Sequence, residues 1–125
     1  MAMSVQDMLA AANAAVPKLS PEQVAARLAE GDAVLLDVRD PPEWQGGTLR
    51  GAVRVSRGML EFRADPALAS HHPALQKQAT LLVYCASGGR SALAGQTLRA
   101  LGYAQVFNAG GFKDLAAAGL PIEPG

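Results

Sequence analysis

The chain has 125 residues, half of them hydrophobic and 18% charged, with eleven Lys and Arg balancing eleven Asp and Glu. That length supports one domain burying about two-thirds of its unfolded surface, with no room for a second catalytic one. The even charge and high apolar content exclude a disordered chain and a polyanion binder, so nucleic acid is not an expected partner. A single cysteine excludes an internal disulfide and suits a reducing compartment.

Residues 4–15 carry Val5, Met8, Leu9 and Ala12 at helical spacing, with Ser4 as the cap and Pro17 as the stop. The stretch is rich in alanine, yet no Lys or Arg precedes it and Asp7 sits at its edge. The apolar run is also short and broken, which argues against a signal peptide and against a membrane span. A cytoplasmic protein is the expectation, with residues 1–17 as an N-terminal helical extension and 18–125 as the domain proper.

Ser20-Pro21-Glu22-Gln23 has the form of a helix start: a serine cap, proline at the first helical position and Gln23 three residues after the cap. Glu30-Gly31-Asp32 ends that helix. Residues 33–38 and 80–84 are nearly continuous apolar runs, the pattern of strands buried on both faces. Residues 52–55 and 105–107 are weaker strand candidates, each entered from a turn with Gly51 or Gly102. Helical patterns follow at 91–101 and 113–118, Gly110-Gly111 reads as a tight turn opening the second, and 120–125 as an extended tail. Strands alternating with helices predict an α/β domain with a mainly parallel sheet.

The chemistry concentrates in Tyr84-Cys85-Ala86-Ser87-Gly88-Gly89-Arg90-Ser91, where an apolar run gives way to glycines and then to a helix. In open parallel sheets, sites form beyond the carboxyl ends of strands. A strand feeding through a short loop into a helix points several backbone N–H groups into one concavity. That concavity and the helix dipole stabilise an anion and lower a thiol's pKa. Ser87, Gly88 and Gly89 are small enough for close backbone approach, and Ser91 is placed to cap the helix. Arg90 opposes the dipole at a helix N-terminus, so an anion should lie nearby: the Cys85 thiolate, its substrate, or a carboxylate such as Asp37 or Glu43. Asp37 and Arg39, at the end of the first strand, are candidates for catalysis or for an ion pair bracing loops, and Asp40 for a helix cap.

Other chemistries lack their residues. His71-His72 cannot face one metal from one helix and no ligand stands at the right spacing, so neither a zinc site nor a Cys–His dyad is indicated. No GxGxxG or GxxxxGK[ST] occurs, and no cofactor is called for.

Taken in order, the segments from about Leu19 to Pro121 resemble the rhodanese domain. Leu35-Leu36-Asp37-Val38-Arg39-Asp40-Pro41-Pro42-Glu43-Trp44 is similar to the family's first signature and Gly47-Thr48-Leu49-Arg50-Gly51-Ala52 to its following turn. Residues 85–91 resemble its active-site loop, and Gly110-Gly111-Phe112 with Gly119-Leu120-Pro121 its C-terminal signature. The resemblance implies a five-stranded, mainly parallel sheet flanked by helices. It also implies that Cys85 takes sulfane sulfur from a donor such as thiosulfate or a persulfide, carries it as a persulfide, and passes it to cyanide, a thiol or a protein acceptor. Residues 86–91 would then cradle the sulfur, with Asp37 and Arg39 in support. From Cys85 through Arg90 the spacing is C-x4-R, whereas related phosphatases and arsenate reductases use C-x5-R; the shorter loop fits a single sulfur rather than a tetrahedral oxyanion. A non-catalytic, sensor or relay module that binds sulfide species or a protein partner is the alternative of another class, and a phosphatase or arsenate reductase the less favoured enzyme. The chain departs from the family pattern at Thr48 and Arg50, which replace histidine and proline, at Ala86 after the cysteine, and at Leu115 in place of tryptophan. Arg54 and Arg57, with Met59, Glu61 and Phe62, are candidates to line the mouth or a surface loop.

Overall fold

The two apolar runs form adjacent central strands of a parallel sheet. The computed structural model describes residues 2–125. In chain order its elements are α1 (Val5–Ala15), α2 (Pro21–Ala29), β1 (Ala33–Asp37), α3 (Pro41–Trp44), β2 (Thr48–Leu49), β3 (Val53–Arg54), a 3-10 turn (Arg57–Met59), α4 (Leu60–Ala64), β4 (Thr80–Cys85), α5 (Gly89–Ala100), β5 (Gln105–Gly111), α6 (Phe112–Ala117) and β6 (Ile122–Glu123). The first two helices start as their sequences predict. Ser4 and Ser20 accept hydrogen bonds from the N–H of Asp7 and Gln23, whose side chains reach back to the N–H of the two serines.

The main sheet has strand order β3-β1-β4-β5, all pairs parallel. The expected fifth strand is reduced to one bridge, in which Lys18 pairs with Asn108 in parallel. There the Leu19 N–H donates to the Asn108 carbonyl at 3.0 Å and the Asn108 N–H to the Pro17 carbonyl at 2.9 Å. Alternation along β4 separates two cores. Leu81, Val83 and Cys85 pack with Leu36, Leu60, Ala94, Leu98 and Val106 on the side of α4 and α5, whereas Leu82 and Tyr84 pack with Val24, Leu35, Leu49 and Leu115 on the side of α2 and α6. Each fully buried leucine among them stabilises the fold by about 1.5–3 kcal/mol relative to exposure.

Three expectations are corrected. The turn at 47–52 and the tail after residue 120 contain β2 and β6, which pair antiparallel with Leu49 opposite Ile122; at two residues each they are too short for a period to register. Gly110-Gly111 is no separate turn, because β5 runs through it. A register shift between Val83 and Tyr84 sets Gly110 beside Tyr84 and Gly111 beside Cys85, and α6 starts at the next residue. Ser91 does not cap α5: Gly88 occupies that position, with φ 101°.

Candidate active site

Cys85 is the last residue of β4 and is 1% exposed. Its side chain points to the α5 side of the sheet, and the chain turns at Gly88, whose left-handed backbone suits glycine. That turn brings the Gly88 N–H to 3.0 Å from Sγ. The Ser91 hydroxyl lies 3.5 Å from Sγ and donates to Asn108 Oδ1 at 2.7 Å. Burial acts most strongly on the thiol and opposes ionisation. The Ser91 hydroxyl and the backbone N–H groups of Ser91, Ser87 and Gly88 together outweigh it, and hold the thiol below its ordinary pKa of 9.0.

The anion expected beside Arg90 is Glu43. The guanidinium makes two bonds to its carboxylate, at 2.6 and 2.9 Å, with Asp40 at 3.8 Å. This pair joins the first turn of α5 to α3, and the carboxylate offsets a cation that the helix dipole disfavours. The bond to Arg90, opposed by burial and helped by the Asp40 N–H, draws Glu43 down to about 2. The same carboxylate, with the Cys85 charge adding to it, raises Arg90.

Asp37 and Arg39 form a buried, two-pronged ion pair with contacts of 2.9–3.1 Å. Arg39 also donates to the Gly47 carbonyl at 2.8 Å and stacks over the rings of Phe112 and Tyr84, 4.3 and 5.8 Å from their centroids. Burial, reinforced by Asp37, pushes the Tyr84 hydroxyl up, and the Leu49 N–H donates to it at 3.1 Å. These contacts tie β1, α3, the 47–49 segment and β4 together at the carboxyl end of the sheet. Beside them opens a cleft of about 430 Å3 lined by Arg39, Glu43, Gly46, Ala86, Phe112 and Lys113.

A family model for the rhodanese-like domain matches residues 20–118. The chain belongs to the rhodanese-like family. Among similar proteins, a thiosulfate sulfurtransferase of Escherichia coli K12 is 35% identical over 81 residues, covering 65% of this chain and 72% of that one. A human thiosulfate:glutathione sulfurtransferase is 32% identical over 109 residues, covering 81% and 94%. Among solved structures, a Rhodopseudomonas palustris protein of unknown function, described as a possible tyrosine phosphatase, superposes with TM-score 0.90 at 36% identity, covering 98% of this chain and 96% of that one. A rhodanese with anions from E. coli superposes with TM-score 0.61 at 31% identity, covering 74% and 99%.

Within this rhodanese-like frame, Cys85, Ser87, Gly88 and Ser91 converge on one sulfur atom, while Ala86 faces the cleft and Arg90 turns to Glu43. Asp37 and Arg39 pair with each other, and Arg39 forms part of the cleft wall. Arg54 bonds to Thr48 and to the 123–124 segment, and Arg57 to Glu61 and Thr97, so neither lines the cleft. Sequence reasoning missed Asn108 and Lys113. A lone asparagine in a strand pattern and a lysine opening a helix carry no local signal of where the chain brings them.

Proposed function

We propose that the protein is a sulfurtransferase that carries sulfane sulfur on Cys85. The observation that carries this reading is the convergence of backbone N–H groups and the Ser91 hydroxyl on Sγ where the six-residue loop enters its helix, with no general base in contact among the described residues. Sulfur transfer needs such an arrangement. In the first half-reaction the Cys85 thiolate attacks the outer sulfur of thiosulfate, an S–S bond forms at Cys85, and sulfite leaves with the electrons of the broken bond. In the second, an acceptor thiolate attacks the outer sulfur of the persulfide and Cys85 leaves as thiolate. Cys85 is thus anionic as nucleophile and as leaving group, so lowering its pKa serves both steps. Fixed N–H groups stabilise that anion as an oxyanion hole does, with no reorganisation at the moment of reaction. Relatives named as sulfurtransferases, two of them for thiosulfate, support the same class.

Exposure to thiosulfate, mercaptopyruvate or glutathione persulfide should add the mass of one sulfur at Cys85, and cyanide or a thiol should remove it. Cys85→Ala should abolish both. No mass gain with any donor sinks the reading, and persulfide formation without turnover replaces the enzyme with a relay or sensor. The phosphatase reading, raised by the description of the R. palustris neighbour, is opposed by the C-x4-R spacing and is checked by assaying phosphate-ester hydrolysis and arsenate reduction in parallel.

A further inference from the structure

Asn108 lies at the centre of the hydrogen bonding behind Cys85. It is 2% exposed and sits on β5 two residues before the glycine whose positive φ, 92°, carries the strand past the active-site loop. Its Oδ1 accepts from the Ser91 hydroxyl at 2.7 Å and from the Gly110 N–H at 2.9 Å; its Nδ2 donates to the Gly88 carbonyl at 3.1 Å. The partners fix which end of the amide is which, because an N–H requires an acceptor and a carbonyl a donor. Its own backbone is clamped between Pro17 and Leu19. One rigid side chain therefore holds both the hydroxyl nearest Sγ and the residue whose N–H touches Sγ.

We propose that Asn108 is a positioning residue for the chemistry at Cys85, acting through the Ser91 hydroxyl and the Gly88 backbone and releasing the hydroxyl hydrogen to the sulfur when Sγ carries charge. In the neutral form the S–H faces Ser91 Oγ and the Ser91 O–H faces Asn108. When the thiol gives its proton to solvent, the Ser91 hydrogen turns from Oδ1 to Sγ. Oδ1 keeps the Gly110 N–H, so no buried acceptor is orphaned by the exchange. In a persulfide the charge moves to the outer sulfur and the hydroxyl returns to Asn108; this last stage alone rests on the sulfurtransferase reading. Without Asn108, a serine in the first turn of a helix is free to bond the carbonyl three residues back, at Gly88, which Asn108 Nδ2 no longer occupies, and so leave the sulfur.

The charged groups around Cys85 are Arg90 on α5, paired with Glu43 and Asp40, the Asp37–Arg39 pair at the end of β1, and Lys113 and Asp114 on α6. Arg57 reaches Thr97 of α5 from the 3-10 turn, Lys18 flanks β5, Asp7 bonds to Ser4 on α1, and β5 itself has no titratable residue. Among the described residues none of these side chains hydrogen-bonds Asn108 or Ser91.

Cys85 ionisation, followed by thiolate ultraviolet absorbance and by alkylation rate against pH, tests the role. Asn108→Leu should raise the midpoint by about one unit, a tenfold loss of thiolate at fixed pH. Ser91→Ala should do the same, and the double variant should go no further than either alone. A purely structural asparagine would lower stability and leave the midpoint at its wild-type value. That result, or two shifts that simply add, overturns the proposal. If Asn108→Leu does not fold, the unmutated protein answers by NMR: the Asn108 side-chain amide resonances should titrate with the Cys85 midpoint, and resonances that stay fixed overturn the proposal. Neither measurement uses a sulfur donor, so failure here is distinct from failure of Cys85 to take up sulfur.

Discussion

A Cβ added to Gly111 would lie 2.6 Å from the Ala86 carbonyl oxygen and 3.2 Å from Ser87 Cα. Both are backbone atoms of the cysteine loop, so no side chain can swing aside. Gly111→Ala should therefore push the loop off β5, lowering stability by about 1–3 kcal/mol and slowing Cys85 alkylation at neutral pH as the Gly88 N–H withdraws from Sγ. Thermal unfolding and alkylation rates check this, with Gly58→Ala as the control, since a Cβ there meets nothing within 4 Å. The wild-type alkylation rate should rise with pH and level off at a midpoint below 9.0, because donors around Sγ lower the thiol's pKa despite burial. Cys85 and its loop were legible in the sequence, since strand, glycines and helix are contiguous. Asn108 was not, because it meets Ser91 and Gly88 across 17 and 20 residues of chain.

At the level of elements, α1 is joined to the rest by a close approach to α5. Val16, just past α1, is 2% exposed, and a Cβ on Gly95 would stand 2.9 Å from its Cγ1. Gly95→Ala should overpack the contact and cost about 1–3 kcal/mol despite the better helix propensity of alanine. Val16→Ala should leave a cavity worth about 2 kcal/mol. Together they restore space to the added methyl, so the double variant should lose clearly less stability than the sum of the singles, as chemical unfolding would show; strict additivity would refute the contact. The helical spacing of α1 was readable from its sequence, and the partner helix was not, since nothing in an apolar stripe names what covers it. The same distinction applies to strands. β1 and β4 announced themselves as long apolar runs, while β2, β6 and the Lys18 bridge are defined by pairings between distant segments.

Across the whole molecule, charge is balanced in number yet organised at two places with different acid sensitivity. At the site end of the sheet, Arg90 holds Glu43 at about 2 against an ordinary 4.5. In the connection between α4 and β4, the Tyr103 hydroxyl lies 2.7 Å from the Ala64 carbonyl and 3.0 Å from that of Leu75. There the Ala74 N–H donates to His72 Nδ1 at 3.0 Å. Burial first, then the charges of Arg63 and His71, keep His72 below its ordinary 6.5. Both shifts are downward, so both groups bind protons more readily in the unfolded chain, and stability falls as pH falls. The His72 contribution is complete above 6.5 and is lost as pH drops through the lower folded value. The Glu43 contribution is complete above 4.5 and is lost toward 2. Denaturant unfolding across a pH series should therefore show two staggered losses. His72→Asn, which keeps an acceptor for the Ala74 N–H, should flatten the first and leave the second, and Glu43→Gln should do the reverse. A wild-type curve flat from neutral pH to 4.5 would mean that His72 protonates freely in the folded protein, and that the 65–79 connection opens without unfolding the sheet.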